Sequence, residues 1–240
     1  MPVKKIIIVG SSSGLGKELA VIYAQQNHMV AITGRRHGLL EELKTKYPHN
    51  IITSAFDVTE SGSQKQIDSL IQKLGGLDLI IYNAGYGDPS LKLIPETEQM
   101  TTLTNVNGFV EIVGYAFNYF VQQGNGHIAL ISSISALRGN SWTPAYSASK
   151  AFMSNYAEGL SIKAGKLKKN ITITDIKPGF IKTKMAKGNR QFWIAPVHKA
   201  ALQIIKAIEK KKRIAYITKR WWLVAQVMKW LPYSIYKRMA

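Results

Sequence analysis

The chain has 240 residues, 46% of them hydrophobic and 19% charged, and it contains no cysteine. Such a length buries a sizeable core; the apolar content excludes a disordered chain, and the missing thiols exclude disulfide scaffolds, thiol catalysis and cysteine-bound metal centres. The formal net charge of +18 is lopsided: residues 1–120 hold 10 basic and 11 acidic residues, whereas residues 121–240 hold 22 and 3. A basic half of this kind fits an anionic lipid surface, a nucleic acid, or a solvated basic face.

The opening run Met1-Pro2-Val3-Lys4-Lys5-Ile6-Ile7-Ile8-Val9 passes straight into a glycine turn. It is too short for a secretory signal and reads as a strand over 4–9. A helical pattern follows over 14–26. Further strands are predicted at 28–33, 50–55, 77–82, 126–132, 171–176 and 213–217, with helices at 37–46, 62–74, 97–123, 145–168 and 197–210. The strands are almost continuously apolar instead of alternating, which is the pattern of a parallel sheet covered on both faces. The expected fold class is therefore α/β: one doubly wound, Rossmann-like domain over 1–218 with a seven-stranded parallel sheet, followed by an extension over 219–240. No stretch of about 18 apolar residues is present, so a membrane-spanning helix is not expected.

The first strand runs into Gly10-Ser11-Ser12-Ser13-Gly14-Leu15-Gly16. Gly10 lets the chain turn off the strand, Gly14 leaves room for a pyrophosphate, and Gly16 lets helix pack closely on strand. The helix N-terminus presents free N–H groups to the phosphates, and Ser12 and Ser13 add hydroxyls. The second strand ends in Thr33-Gly34-Arg35-Arg36. An acidic residue there would bind a ribose 2′-hydroxyl and repel a 2′-phosphate. Two arginines stand instead, and guanidinium groups pair with phosphate, so NADP is expected over NAD.

After the fifth strand come Ser132 and Ser133, and thirteen residues past Ser133 stand Tyr146 and, four further on, Lys150. That spacing puts Tyr146 and Lys150 on one helix face. An ammonium near a phenol favours the phenolate, and such a tyrosine can exchange a proton with a carbonyl/alcohol pair. The five histidines, at 28, 37, 49, 127 and 198, show no metal-ligand spacing with a carboxylate, so no metal is expected and His127 reads as structural. No G-x-S-x-G elbow supplies a hydrolase nucleophile.

Taken in order, these motifs resemble the short-chain dehydrogenase/reductase family over roughly residues 3–217. They are Gly10-x-x-x-Gly14-x-Gly16, Asp57-Val58, Asn83-Ala84-Gly85, Asn107, Ser133, Tyr146-x-x-x-Lys150, and Pro178-Gly179 with Thr183. The resemblance implies Tyr146 as general acid/base, tuned by Lys150, which also binds the nicotinamide ribose. It implies Ser133 as the hydrogen-bond partner of the substrate oxygen and Asn107 as the holder of a relay water. Asp57 and Val58 would contact adenine, and Asn83, Ala84 and Gly85 would floor the cofactor cleft together with the turn around Leu15. Pro178, Gly179, Ile181 and Thr183 would cover the nicotinamide. Val9 departs from the family's usual threonine before the first glycine. The resemblance further implies an enzyme acting on a small-molecule carbonyl or alcohol, assembled as a homodimer or homotetramer through the helices at 97–123 and 145–168. A non-catalytic NADPH-binding scaffold is the alternative, but it would need none of Asn107, Ser133, Tyr146 and Lys150.

The segment 182–194 carries three lysines, Arg190, Phe192 and Trp193 at the expected pocket mouth, which suits an apolar substrate with an anionic handle. The extension holds three tryptophans and two tyrosines among cations, from Lys219 to Ala240. It either lies in an anionic membrane interface or packs on the protein itself. No nucleic-acid motif appears, so nucleic acid is not expected as a partner. The expected location is cytoplasmic, with a peripheral place on the inner membrane surface if the extension binds lipid.

Overall fold

A computed structural model describes residues 2–183 and 192–239. Seven strands form one parallel sheet in the order β3-β2-β1-β4-β5-β6-β7. They are β1 (Lys5–Val9), β2 (Met29–Gly34), β3 (Ile51–Ala55), β4 (Leu79–Tyr82), β5 (Asn125–Ile131), β6 (Asn170–Pro178) and β7 (Ile214–Ile217). Strand order reverses between β1 and β4, and at such a switch point the crevice beyond the carboxyl ends of the strands is open to a ligand.

The central strands are apolar on both faces because both are covered. Ile6 and Ile8 face α1 (Gly14–Gln25), α2 (His37–Lys46) and α7 (Val197–Glu209), whereas Ile7 and Val9 face α3 (Ser63–Leu74), α5 (Gly108–Gln123) and α6 (Pro144–Lys166). Two separate cores result, one on each side of the sheet, and both are fully buried at their centres.

Two features depart from the predicted elements. The helix expected over 97–123 is broken into α4 (Pro95–Thr102), a π-turn at Leu103–Asn107, and α5. A short 3-10 turn at Ile134–Leu137 follows β5. The extension folds into α8 (Trp221–Trp230) and α9 (Tyr233–Met239). Trp221 and Ala225 are buried against Ile134, with Leu137, Phe180 and Met228 around them. The Arg138 guanidinium donates to the carbonyls of Met228 and Leu231 at 3.0 and 2.9 Å, closing the C-terminal end of α8, where the helix dipole favours a cation.

Candidate active site

Most site residues expected from the sequence come from the carboxyl ends of strands or the turns after them; Asn107 ends the π-turn before α5, and Tyr146 and Lys150 lie on α6. The glycine turn after β1 is tightly packed. Gly10 has φ +86°, and a Cβ there would lie 2.7 Å from Ala84 Cα. A Cβ on Gly16 would lie 2.2 Å from the Gly10 carbonyl oxygen, so only glycine lets α1 start this close to β1. Asn83 Nδ2 donates to that same oxygen at 2.6 Å, and Ser11 Oγ donates to the Ile8 carbonyl at 2.7 Å. These two bonds tie down the end of β1, where Val9 supplies no hydroxyl. Leu15, in the first turn of α1, is buried, and Gly14 faces Thr183, whose Cγ2 would lie 3.4 Å from a Cβ at Gly14. Thr183 and the phosphate turn therefore close on each other across the cleft.

The two arginines behave differently. Arg36 reaches the turn: its guanidinium donates to Ser12 Oγ at 2.7 Å and to Ser13 Oγ at 2.7 Å. Arg35 pairs instead with Asp57 at 3.5 Å and stays largely in solvent. Asp57 also accepts from the Thr59 backbone and hydroxyl at 3.0 and 2.9 Å, which fixes the loop beside the buried Val58. β6 ends at Pro178, and Gly179 follows it. A Cβ at Gly179 would lie 1.9 Å from Trp221 Cε2, so the first tryptophan of α8 lies directly on this glycine. Ile181 is buried and bridges in parallel to Ala195. The basic segment 184–191 expected at the mouth lies outside the described residues; Phe192 and Trp193, from its end, pack near Trp221 at ring distances of 5.0 and 6.2 Å.

Tyr146, Ser133 and Lys150 converge beyond β5. Ser133 Oγ accepts from the Ser135 amide at 3.1 Å and lies beside Tyr146. Burial pushes the Tyr146 hydroxyl above its ordinary value, and the nearby Ser133 hydroxyl opposes this. Lys150 is buried, and its ammonium donates to the Ile131 carbonyl at 2.9 Å and stands 5.6 Å from the centre of the Tyr146 ring. Burial lowers the Lys150 ammonium to about 8, against the attraction of the Asp175 carboxylate. The spacing predicts a lowered phenol, whereas around Tyr146 desolvation is the largest influence and raises it. Gly87 passes against the tyrosine, where a Cβ would lie 2.4 Å from Tyr146 Cδ2.

The asparagine assignment needs correction. Asn107 is exposed, whereas Asn105, two residues earlier, is fully buried. Asn105 Nδ2 donates to the Tyr86 carbonyl at 2.8 Å and to Ser149 Oγ at 2.9 Å, and its Oδ1 accepts from the Tyr86 amide at 2.9 Å. A Cβ at Gly85 would lie 3.3 Å from Lys150 Nζ and 3.5 Å from Asn105 Oδ1, so Gly85 is what lets these two approach. The segment Asn105-Val106-Asn107-Gly108 offers two asparagines, and the π-turn decides which faces inward. In an unbroken helix that choice has no sequence signal.

A second polar group lies behind the site. Asp175 forms an ion pair with Lys177 at 2.7 Å, both nearly buried, and accepts from the Ser132 hydroxyl; Lys177 also donates to Ser154 on α6. Sequence reasoning missed it, although two opposite charges at alternate positions of a buried strand are a visible signal. His127 is fixed by a 2.8 Å bond to Thr174 in the sheet, and among the described residues no group of three histidines or acids is set to hold a metal ion.

Comparisons with known proteins show the family. The family model described as short chain dehydrogenase matches residues 4–192. This chain belongs to the short-chain dehydrogenase family. It is 32% identical to an uncharacterized oxidoreductase of Mycobacterium tuberculosis, over 99% of this chain and 97% of that one, so the likeness extends through α8 and α9. A short-chain dehydrogenase from Streptomyces avermitilis shares the fold with a TM-score of 0.81, at 20% identity and with 100% of each chain covered. ElxO with NADP bound superposes with a TM-score of 0.78 at 21% identity, over 90% of this chain and 97% of that one.

Proposed function

We propose that this protein is an NADP(H)-dependent oxidoreductase that interconverts a carbonyl and an alcohol by hydride transfer, acting on an apolar, lipid-like substrate. The observation that carries the reading is the gathering of Lys150 and Asn105 at Gly85 and of Tyr146 at Gly87, beyond the carboxyl ends of β4 and β5, with Ser133 beside Tyr146. The cradle fits a dinucleotide: glycines stand where a Cβ would collide, and Arg36 is fastened to the turn's two hydroxyls, where it can meet a 2′-phosphate. NADP in the superposed ElxO supports the same choice.

Bound NADPH supplies the hydride. The chain's own residues hold the proton and the geometry. Tyr146 carries the proton to be donated; its raised value keeps it protonated at neutral pH, as carbonyl reduction needs. Ser133, whose hydroxyl lies beside Tyr146, would hold the substrate oxygen next to that phenol. Lys150 contributes a buried positive charge beneath the tyrosine ring. The relay role expected at Asn107 passes to Asn105, which fixes Tyr86 and stands against Lys150 across Gly85. A non-catalytic scaffold is less well supported, because a buried lysine costs free energy that a passive cleft would not need. The enzyme is proposed to work in the cytoplasm, as a homodimer or homotetramer, at the inner membrane surface.

NADPH consumption across a panel of ketones, quinones and acyl-ketone lipids tests the reading. The Tyr146→Phe variant is expected to lose about 100-fold or more in turnover while still binding NADPH. NADH bound as tightly as NADPH, or an active Phe variant, would reject it.

A further inference from the structure

The short helix α8 is apolar on two opposite faces. Its inner face is taken up by the protein, through Trp221 and Ala225. Its outer face carries Trp222, Leu223, Val227 and Trp230, exposed by 52%, 59%, 60% and 85%. Tyr233 and Ile235 continue the exposed surface on α9, and Phe192, Trp193 and Ile194 extend it from the loop beyond β6. A helix on the surface of a globular domain ordinarily turns polar residues outward, so a contiguous apolar patch of this kind marks a docking surface.

What the surface docks on is stated by its surroundings. Lys219, Arg220, Lys229, Lys237 and Arg238 are exposed around the patch, and no acidic residue occurs after Glu209. Beside the start of α8 lies a cavity of about 260 Å³, lined by Lys199, Gln203, Thr218, Lys219 and Arg220 together with Ile194. Thr218 is more than nine-tenths buried, and its Oγ1 has no hydrogen-bond partner; the Gln203 side-chain oxygen is also buried without one. Arg220 is held in place, its Nη2 donating to the Trp193 carbonyl at 3.0 Å and its guanidinium 5.0 Å above the Trp193 ring. Three cations around a buried, unpartnered hydroxyl are donors suited to a phosphate monoanion.

We propose that this face docks on an anionic phospholipid surface, with the outer side of α8 in the acyl boundary and the cavity at Thr218 receiving a headgroup phosphate. The inference rests on the reading of the crevice as a reductase site for a lipid-like carbonyl, and it names where that substrate enters. Trp221 lies on Gly179 at the nicotinamide side of the cleft and packs on Phe180 at 5.6 Å, so the patch adjoins the mouth of the site. A lipid surface fits better than a second copy of the chain, because two copies meeting through this patch would bring their cations together with no acidic partner. Crossing the membrane is not available to α8: ten residues reach about 15 Å against a hydrocarbon core of about 30 Å, and no described helix is long and apolar enough to span.

The test is co-sedimentation of the full-length protein with vesicles of phosphatidylglycerol and phosphatidylcholine, or of phosphatidylcholine alone. Binding is expected with the anionic vesicles, weakened by salt, and not stripped by millimolar inorganic phosphate. The double variant Val227→Glu, Trp230→Glu is expected to lose at least about tenfold in partitioning, and Lys219→Glu about fivefold or more. Reduction of a small soluble ketone should match the unaltered protein in both variants, which also shows that they fold. The inference is overturned if the protein stays in the supernatant, binds neutral vesicles equally, or binds undiminished in the double variant. It is also overturned if the double variant alone shifts to a smaller assembly in light scattering, since a second copy would then cover the patch. If no carbonyl supports NADPH consumption while the vesicle pattern holds, the catalytic reading fails and the docking surface stands.

Discussion

Asn105 and Asn107 differ by two positions and by everything that matters to a buried site. Asn105 has three hydrogen bonds to its surroundings, and Asn107 is exposed. Asn105→Ala would leave the Tyr86 amide and carbonyl unsatisfied beside Lys150, a cost of about 1–3 kcal/mol per buried group. We expect that variant to lower kcat by about 100-fold, and Asn107→Ala to change it by less than about twofold, in steady-state assays. The pH profile belongs to Lys150. Its folded value of about 8 lies below the ordinary 10.5, so this group is destabilising at neutral pH and that penalty is relieved as pH rises from about 8 toward 10.5. Activity should move the opposite way. If the ammonium is required, kcat/KM for NADPH falls about tenfold per pH unit above about 8, while thermal melting shows no unfolding contributed by this lysine. Asp175→Asn removes the carboxylate that supports the charge and should move that limb to lower pH.

Among the elements, those with a single repeated period were legible and those that break their period were not. Continuous apolar runs such as Ile6-Ile7-Ile8-Val9 disclosed the buried strands, and the glycine spacing disclosed the turn, because both patterns follow directly from what covers the backbone. Over 97–107 only Met100, Leu103 and Val106 are apolar, so the segment has too weak a period of its own to disclose the phase shift of the π-turn, and the break that turns Asn105 inward was hidden. The same limit applies to α8. Apolar residues all round it fit a helix on lipid or a helix packed on the protein, and the structure uses both: Trp221 is core while Trp222 and Trp230 are surface. Urea unfolding should separate them. Trp221→Ala removes an indole packed on Gly179 and Phe180 and is expected to cost about 3–5 kcal/mol, whereas Trp222→Ala should cost less than about 1 kcal/mol. Equal effects of the two would mean that α8 is not seated as described.

For the molecule as a whole, we propose that assembly runs through the outer faces of α5 and α6. Phe152 and Ile162 are exposed large apolar residues on α6, and Phe152 stacks on Tyr156 at 5.8 Å, with both rings edge-on to the buried Phe109. This ladder ties the outer face of α6 to the core of α5. Tyr146 and Lys150 lie in the first two turns of the same helix, so a partner covering Phe152 would also limit the motion of the proposed catalytic pair. A two-fold contact through these helices would bury the ladder in both subunits at once. We expect multi-angle light scattering to show a dimer or tetramer at micromolar concentration. Phe152→Glu with Ile162→Glu should yield monomers, because each carboxylate would have to be buried unpaired in the contact. Those monomers should retain the fold by circular dichroism and lose several-fold in kcat, as α6 becomes freer at its N-terminal end. A monomeric unaltered protein, or a double variant that stays assembled, would place the contact elsewhere.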